Sequence, residues 1–341
     1  MQRRTLSQLF IASALLPWPT YLRSQVQSAV SVDQLPPLEG ELTLYLGRGE
    51  GGLYENVLQA ITDRNPAFKL NIRRGPTAAL ANAIVAESNA GINRADIFWA
   101  VDTGAIGLIV SQGLAQGLPT DLTDQLIPNF RYEHWLPVSG RVRTIPFYNR
   151  KISADQVPTD IMRLPEAGLQ IGWAPEYASF QSFVTAMRII EGTEATKEWL
   201  IKVNENSKKY AGELGVVMGV ERGEVDIGFA NHYYTLRLKS GKPDARVDLA
   251  FTKKDAGCLI NASGILAITQ DTTAINFMRY LLTTEVQSYL ATEAFEIPLI
   301  RGVEAPIGIP PIESLSPPDI DLTELADLRP TLELMRELRI L

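Results

Sequence analysis

The sequence predicts an α/β protein built as two units, and three observations carry that expectation. Its 341 residues are about twice the usual domain length of roughly 150. Short apolar runs of strand type alternate along the chain with segments whose apolar residues recur at helical spacing. The alternation opens with a strand, a glycine-rich turn and a helix, which is the start of a βαβ unit and therefore of a largely parallel sheet.

Residues 30–40 are polar and contain prolines, a linker. Glu41–Leu46 is the first strand and Gly47–Gly52 the turn; Leu53–Arg64 follows as a helix with Leu53, Val57, Leu58 and Ile61 on one face. Phe68–Ile72 is a second strand, Ala78–Glu87 a helix, Ala95–Ala100 a buried strand, and Gly104–Gln112 a helix stopped by Gly113. Val142–Tyr148 and Gln170–Trp173 are strands. Phe180–Glu191 is a helix with Ser179 placed to cap it, and Thr193–Asn204 is another. Val225–Ala230 is a strand that runs into Asn231-His232-Tyr233-Tyr234. Ala262–Ile268 returns to strand, followed by helices over Thr272–Thr283 and Glu285–Glu293. Residues 305–318 hold five prolines and form a connector, and Leu322–Leu341 closes the chain as an amphipathic helix.

The formal net charge of −7 argues against nucleic acid, whose binders carry basic patches. One cysteine, Cys258, excludes an intramolecular disulfide and a thiolate zinc site; two histidines, His134 and His232, exclude a histidine-rich one. A metal held by this chain would be a hard ion bound through oxygen. The first 29 residues have the form of an export signal. Arg3 and Arg4 precede the uncharged run Leu6–Leu16, Pro17 and Pro19 end it, and Gln27-Ser28-Ala29 is a small-residue cleavage region. That run is too short to span a bilayer, which takes about 20 residues. Arg3-Arg4-Thr5-Leu6 is similar to a twin-arginine signal, with an ordinary signal peptide as the alternative.

Two constellations could carry function. Gly47-Arg48-Gly49-Glu50-Gly51-Gly52 fits the G-x-G-x-x-G fingerprint of dinucleotide sites, and Arg73-Arg74 after the next strand would suit a 2′-phosphate. The alternative is a tight turn that aims a helix N-terminus at a cleft. Tyr233-Tyr234 is the second. Phenols are neutral at pH 7, but an adjacent trivalent cation favours the phenolate. At a strand-to-helix junction two adjacent tyrosines can both enter a cleft, whereas on a continuous strand they would face opposite sides.

The chain resembles the ferric-ion-binding proteins of ABC importers, within the larger periplasmic-binding-protein group. The resemblance runs over about residues 41–341. It is carried, in order, by Leu42-Thr43-Leu44-Tyr45-Leu46-Gly47-Arg48-Gly49-Glu50, Ala95-Asp96-Ile97-Phe98-Trp99, Ser139-Gly140-Arg141-Val142-Arg143, Gly172-Trp173-Ala174-Pro175, Ala178-Ser179-Phe180-Gln181, Gly223-Glu224-Val225-Asp226, Asn231-His232-Tyr233-Tyr234, Asp255-Ala256-Gly257 and Glu296-Ile297-Pro298-Leu299.

This resemblance implies a periplasmic-binding-protein type II fold, two α/β lobes with a hinge and an interlobe cleft. The N-terminal lobe would take residues 41–142, completed by about 258–304; the C-terminal lobe would take 143–257, completed by the tail 305–341. It implies no enzyme activity but an exported, periplasmic receptor that carries Fe3+ as cargo, with a synergistic anion in some relatives, to the transmembrane subunits of a permease, acting as a monomer. Its implied metal ligands are Glu50, Tyr148, Tyr233 and Tyr234, and its implied anion-binding residues are Arg141, Arg143 and Ser179. Tyr148 matches a tyrosine that follows the Arg-x-Arg strand in some relatives, but its spacing is one residue longer here and Pro146 suggests a bulge, both departures from that pattern. Gly49 and Val101 stand where some relatives have a ligand histidine and a ligand glutamate. His232 is expected as a loop residue or an anion contact. Other cargo for the same fold would be a phosphate ester, thiamine or a polyamine, the last two held by an aromatic cage from Trp99, Trp173 and Tyr177; an exported NADP-dependent oxidoreductase using the glycine loop is the remaining reading.

Overall fold

The computed structural model describes residues 29–47 and 52–341. The signal-like segment, apart from Ala29, lies outside the described residues, as do Arg48, Gly49, Glu50 and Gly51 of the glycine loop.

Ten strands form one open sheet: β1 (Gly40–Gly47), β2 (Phe68–Gly75), β3 (Ile97–Ala100), β4 (Leu136–Tyr148), β5 (Ile171–Trp173), β6 (Ser207–Lys209), β7 (Ile227–Gly228), β8 (Ala230–Asn231), β9 (Val247–Ala250) and β10 (Ile260–Ala267). The order is β2-β1-β3-β10-β4-β7-β5-β6, with β8 and β9 also on β4. The helices are α1 (Leu53–Arg64), α2 (Thr77–Asn89), α3 (Thr103–Ser111), α4 (Thr120–Thr123), α5 (Ala178–Glu191), α6 (Thr193–Glu205), α7 (Glu213–Glu221), α8 (His232–Gly241), α9 (Thr272–Leu281), α10 (Thr284–Glu293), α11 (Ile312–Leu315) and α12 (Arg329–Glu337).

The expected alternation is present, but the sheet is mixed rather than largely parallel. β1 pairs parallel with β2 and β3, and β5 with β6 and β7; every pair involving β4 or β10 is antiparallel. The 13-residue strand β4 explains this. Leu136–Val142 runs against β10, and Arg143–Tyr148 runs against β8, β9 and β7, so one strand serves both ends of the sheet. Ile97, Phe98, Trp99 and Ala100 of β3 are all buried, as a central strand covered on both faces requires. On α1, Tyr54, Val57, Leu58 and Ile61 face the core, the i, i+3, i+4, i+7 stripe of an amphipathic helix.

The C-terminal segment departs from the single helix expected over 322–341. A 3-10 turn occupies Leu322–Ala326, Asp327 leaves the helical region, and α12 restarts with Pro330 in its first turn, where a missing N–H costs nothing. The turn lies against α3. A side chain at Gly107 would come within 2.8 Å of Ala326 Cβ and 3.0 Å of the Thr323 carbonyl oxygen. Among the described residues no helix is long and apolar enough to cross a membrane.

Candidate metal-binding cleft

Four helices begin around one cavity of about 1100 Å³. Ala78 and Asn82 of α2, Asp102 and Gly104 at the start of α3, Tyr177, Ala178 and Ser179 at the start of α5, and Asn231, Tyr233 and Tyr234 at the start of α8 all line it, and Thr323–Leu328 cover another side. The first N–H groups of a helix lack intrahelical partners and carry partial positive charge, so a ring of N-termini favours anionic oxygen in the space between them.

Tyr233 and Tyr234 sit in the first turn of α8, after Asn231 as its cap residue. Successive helical residues are separated by about 100°, so both rings can turn toward one space. Their centroids are 4.4 Å apart. Arg237, one turn on, lies over the Tyr233 ring at 4.8 Å. Tyr234 shares a hydrogen bond of 2.7 Å with the hydroxyl of Tyr177. Burial, then the neighbouring Tyr233, pushes the Tyr234 phenol well above its ordinary range, so with no cation beside it the phenol keeps its proton. Among the described residues no cluster of three or more His, Cys, Asp or Glu could hold a metal; the oxygen donors lining this space include the phenols of Tyr177, Tyr233 and Tyr234 together with the separate carboxylates of Asp102, Glu324 and Asp327.

Arg141 and Ser179 also line the cavity. Arg141 donates from Nη2 to the carbonyl oxygen of Val101. Ser179 is not the cap of α5: the helix begins one residue before it, with Tyr177 in the cap position, because the Tyr177 carbonyl already accepts from Phe180 and Gln181. The Ser179 hydroxyl oxygen accepts from Arg143 Nη1 at 3.1 Å and from Asn231 Nδ2 at 2.9 Å, and neither bond uses its own proton.

The structure does not bring two of the expected residues to the cavity wall. Arg143 is buried and paired with the fully buried carboxylate of Glu213, so its charge is offset behind the wall. Tyr148 packs its ring beside Gly223 with Arg246 over it at 6.0 Å. The bulge expected at Pro146 is absent: Ile145, Pro146, Phe147 and Tyr148 pair in unbroken register with Ala250, Leu249, Asp248 and Val247. Without an extra residue the alternation is not reset, and Tyr148 falls on the face opposite Arg141 and Arg143. The sheet's irregularity lies instead at Ser263/Gly264 in β10.

His232 is neither a loop residue nor an anion contact. It is fully buried, its Nδ1 accepts from the Val142 N–H at 3.2 Å, and its Nε2 bonds the Phe295 carbonyl oxygen at 2.5 Å. Trp99 and Trp173 do not contribute to an aromatic cage for a cationic organic cargo: both are core residues with no exposed surface, and of the three aromatics expected there Tyr177 alone lines the cavity. Arg73 and Arg74 pair with Glu87 and Glu55.

The chain is 28% identical over 302 residues to an Fe(3+)-binding periplasmic protein of Serratia marcescens, covering 84% of this chain and 88% of the relative. Its fold superposes with a TM-score of 0.75 on iron-bound HitA from Pseudomonas aeruginosa, at 25% identity over 87% of this chain and 98% of that one. The chain is a homologue of the ferric-ion-binding periplasmic proteins. Trichodesmium IdiA (FutA), solved with iron and citrate, superposes equally well, with a TM-score of 0.75 at 23% identity, covering 87% of this chain and 99% of that one. No family model matches the chain. This homologue thus has the type II periplasmic-binding-protein fold, and the tyrosine pair of α8 opens onto its cavity.

Proposed function

We propose that this chain is the extracytoplasmic substrate-binding protein of an ABC importer, capturing ferric iron and delivering it to the permease without making or breaking a covalent bond. The observation that carries this reading is the Tyr233–Tyr234 pair, packed at 4.4 Å between ring centroids at the mouth of a helix in a cavity ringed by helix N-termini. A ferric ion would displace the phenolic protons to water and take the oxygens as phenolates, a charge reversal that only a strongly charged cation supports. Glu50, in the sequence between β1 and α1, would add a carboxylate. Arg141 and Ser179 would offset the negative charge that gathers around the ion, whether on phenolates or on a co-bound anion.

Capture would involve closure of two lobes, residues 41–142 with 258–304 and residues 143–257 with 305–341. The hinge would lie where β4 passes from β10 to β8 and where the chain returns into β10, since a hinge needs few crossing segments. Delivery to a permease implies an exported, periplasmic protein that works as a monomer. The test is spectroscopic. The mature chain loaded with ferric iron should show visible phenolate-to-iron absorption, and Tyr233→Phe with Tyr234→Phe should remove most of it. Unchanged colour and affinity in the double variant would refute the site.

A further inference from the structure

We infer that Tyr177 is a third phenolate ligand to the cargo, and that it occupies with the chain's own oxygen the place a co-bound anion would take. The inference rests on the reading of Tyr233 and Tyr234 as ferric ligands. Tyr177 stands in the cap position of α5 and lines the cavity; its hydroxyl is 2.7 Å from that of Tyr234, which is in turn hydrogen-bonded to Tyr233. A hard cation in octahedral coordination with bonds of about 2.0 Å sets neighbouring donor oxygens about 2.8 Å apart. The Tyr177–Tyr234 contact therefore already has the length of one edge of a coordination shell, held by a shared proton.

The position has a second consequence. The start of α5 is the natural seat for an anion, with unpaired N–H groups and the Ser179 hydroxyl beside it. The Tyr177 side chain leaves from that same start and puts its own oxygen against Tyr234. Binding would then release three phenolic protons to solvent, from Tyr177, Tyr233 and Tyr234, and three phenolates would balance the charge of Fe3+ without a small anion. Tyr148, which the fold keeps away from the cavity wall, is not needed to complete the set.

The experiment compares the mature chain with Tyr177→Phe and Tyr177→Ser. Ferric iron is added as chloride in buffer free of phosphate, citrate and carbonate, and each anion is then supplied in turn. The unaltered chain should bind one iron with colour that none of the three anions changes. Tyr177→Phe should lose about a third of the visible absorption per bound iron, shift its maximum, and release one proton fewer per iron. Tyr177→Ser, which opens the seat at α5, should bind iron tightly only when phosphate or citrate is present. Far-ultraviolet circular dichroism confirms that both variants fold. If the unaltered chain is coloured and Tyr177→Phe matches it in intensity, maximum and proton release, the third phenolate is refuted while the tyrosine pair stands. If the unaltered chain takes up iron without colour, the pair itself fails. Iron binding by the unaltered chain that depends on an added anion also overturns the inference.

Discussion

Glu213 and Arg143 form a buried ion pair directly behind the tyrosine cluster, and the same carboxylate accepts the backbone N–H of Asn231 at 2.8 Å. Arg143 reaches the start of α5 through Ser179, and Asn231 reaches it through the same oxygen. One charge pair thereby fixes the starts of both α5 and α8, the two helices that present Tyr177 and Tyr233-Tyr234. A charge stripped of its partner at a fully buried site costs about 3–5 kcal/mol, while loss of both partners together costs far less. Arg143→Met should therefore lower the free energy of urea unfolding by an amount of that order, and Arg143→Met with Glu213→Gln should recover much of it, since the amide still accepts from Asn231. Additive losses in the double-mutant cycle would show that the two side chains do not act as a pair.

The Glu213 pairing is also where sequence reading stops. The tyrosine pair was legible because adjacent phenols at a strand-to-helix junction are uncommon and chemically specific. β1, β3 and α1 were legible because their burial patterns have simple periods. α7, which carries Glu213, went unread: Gly215 and Gly219 give it poor helix propensity, and Gly219 is there because the Tyr210 hydroxyl fills the space of a side chain. Arg143 was legible as a charge on the same strand face as Arg141, but the partner that absorbs its charge is 70 residues away in sequence. Tyr148 is a similar case, because a resemblance in sequence pattern does not fix which face of the strand a residue takes, and only the pairing of β4 with β9 settles it.

His232 should make stability fall in weak acid. Burial, above all, holds its imidazole down to about 4, against about 6.5 in an unfolded chain, and its two ring nitrogens serve one acceptor and one donor role that only the neutral form can fill. The folded value lies below the unfolded one. The contribution is therefore complete above pH 6.5 and is lost as pH falls toward 4, amounting to about 3 kcal/mol over the full interval. Carboxylates titrate in the same range, so the informative quantity is the difference between variants. Unfolding free energies measured from pH 7 to pH 4 should fall more steeply for the unaltered chain than for His232→Gln; parallel curves would show that the imidazole does not titrate on unfolding.

Cys258 should resist alkylation in the folded protein. It is fully buried, its thiol donates to the Leu315 carbonyl oxygen at 3.0 Å, and burial pushes it up to about 12, so the reactive thiolate is scarce at pH 8. Iodoacetamide at pH 8 should modify it only after the chain is unfolded in urea. Because its partner is in the C-terminal segment, early labelling in native buffer would mean that residues near Leu315 detach without global unfolding.

That segment matters for the cleft because it spans it. The turn at Leu322–Ala326 rests on α3, while α12 continues with Thr331 hydrogen-bonded to Thr185 of α5 at 2.7 Å. Residues 323–328 also form part of the cavity wall, so the tail touches helices from both sides of the proposed closure. The seat depends on Gly107, where even a methyl group would come within 3.0 Å of backbone oxygen. Helix and tail would have to separate, with a loss of about 1–3 kcal/mol typical of overpacking. Gly107→Ala should therefore lower the thermal midpoint, speed proteolytic cleavage within residues 316–328, and weaken iron binding while leaving the colour per bound iron unchanged, because the phenolate donors are not touched. A variant with cleavage and affinity equal to the unaltered chain would show that the tail yields freely at this contact and does not brace the cleft.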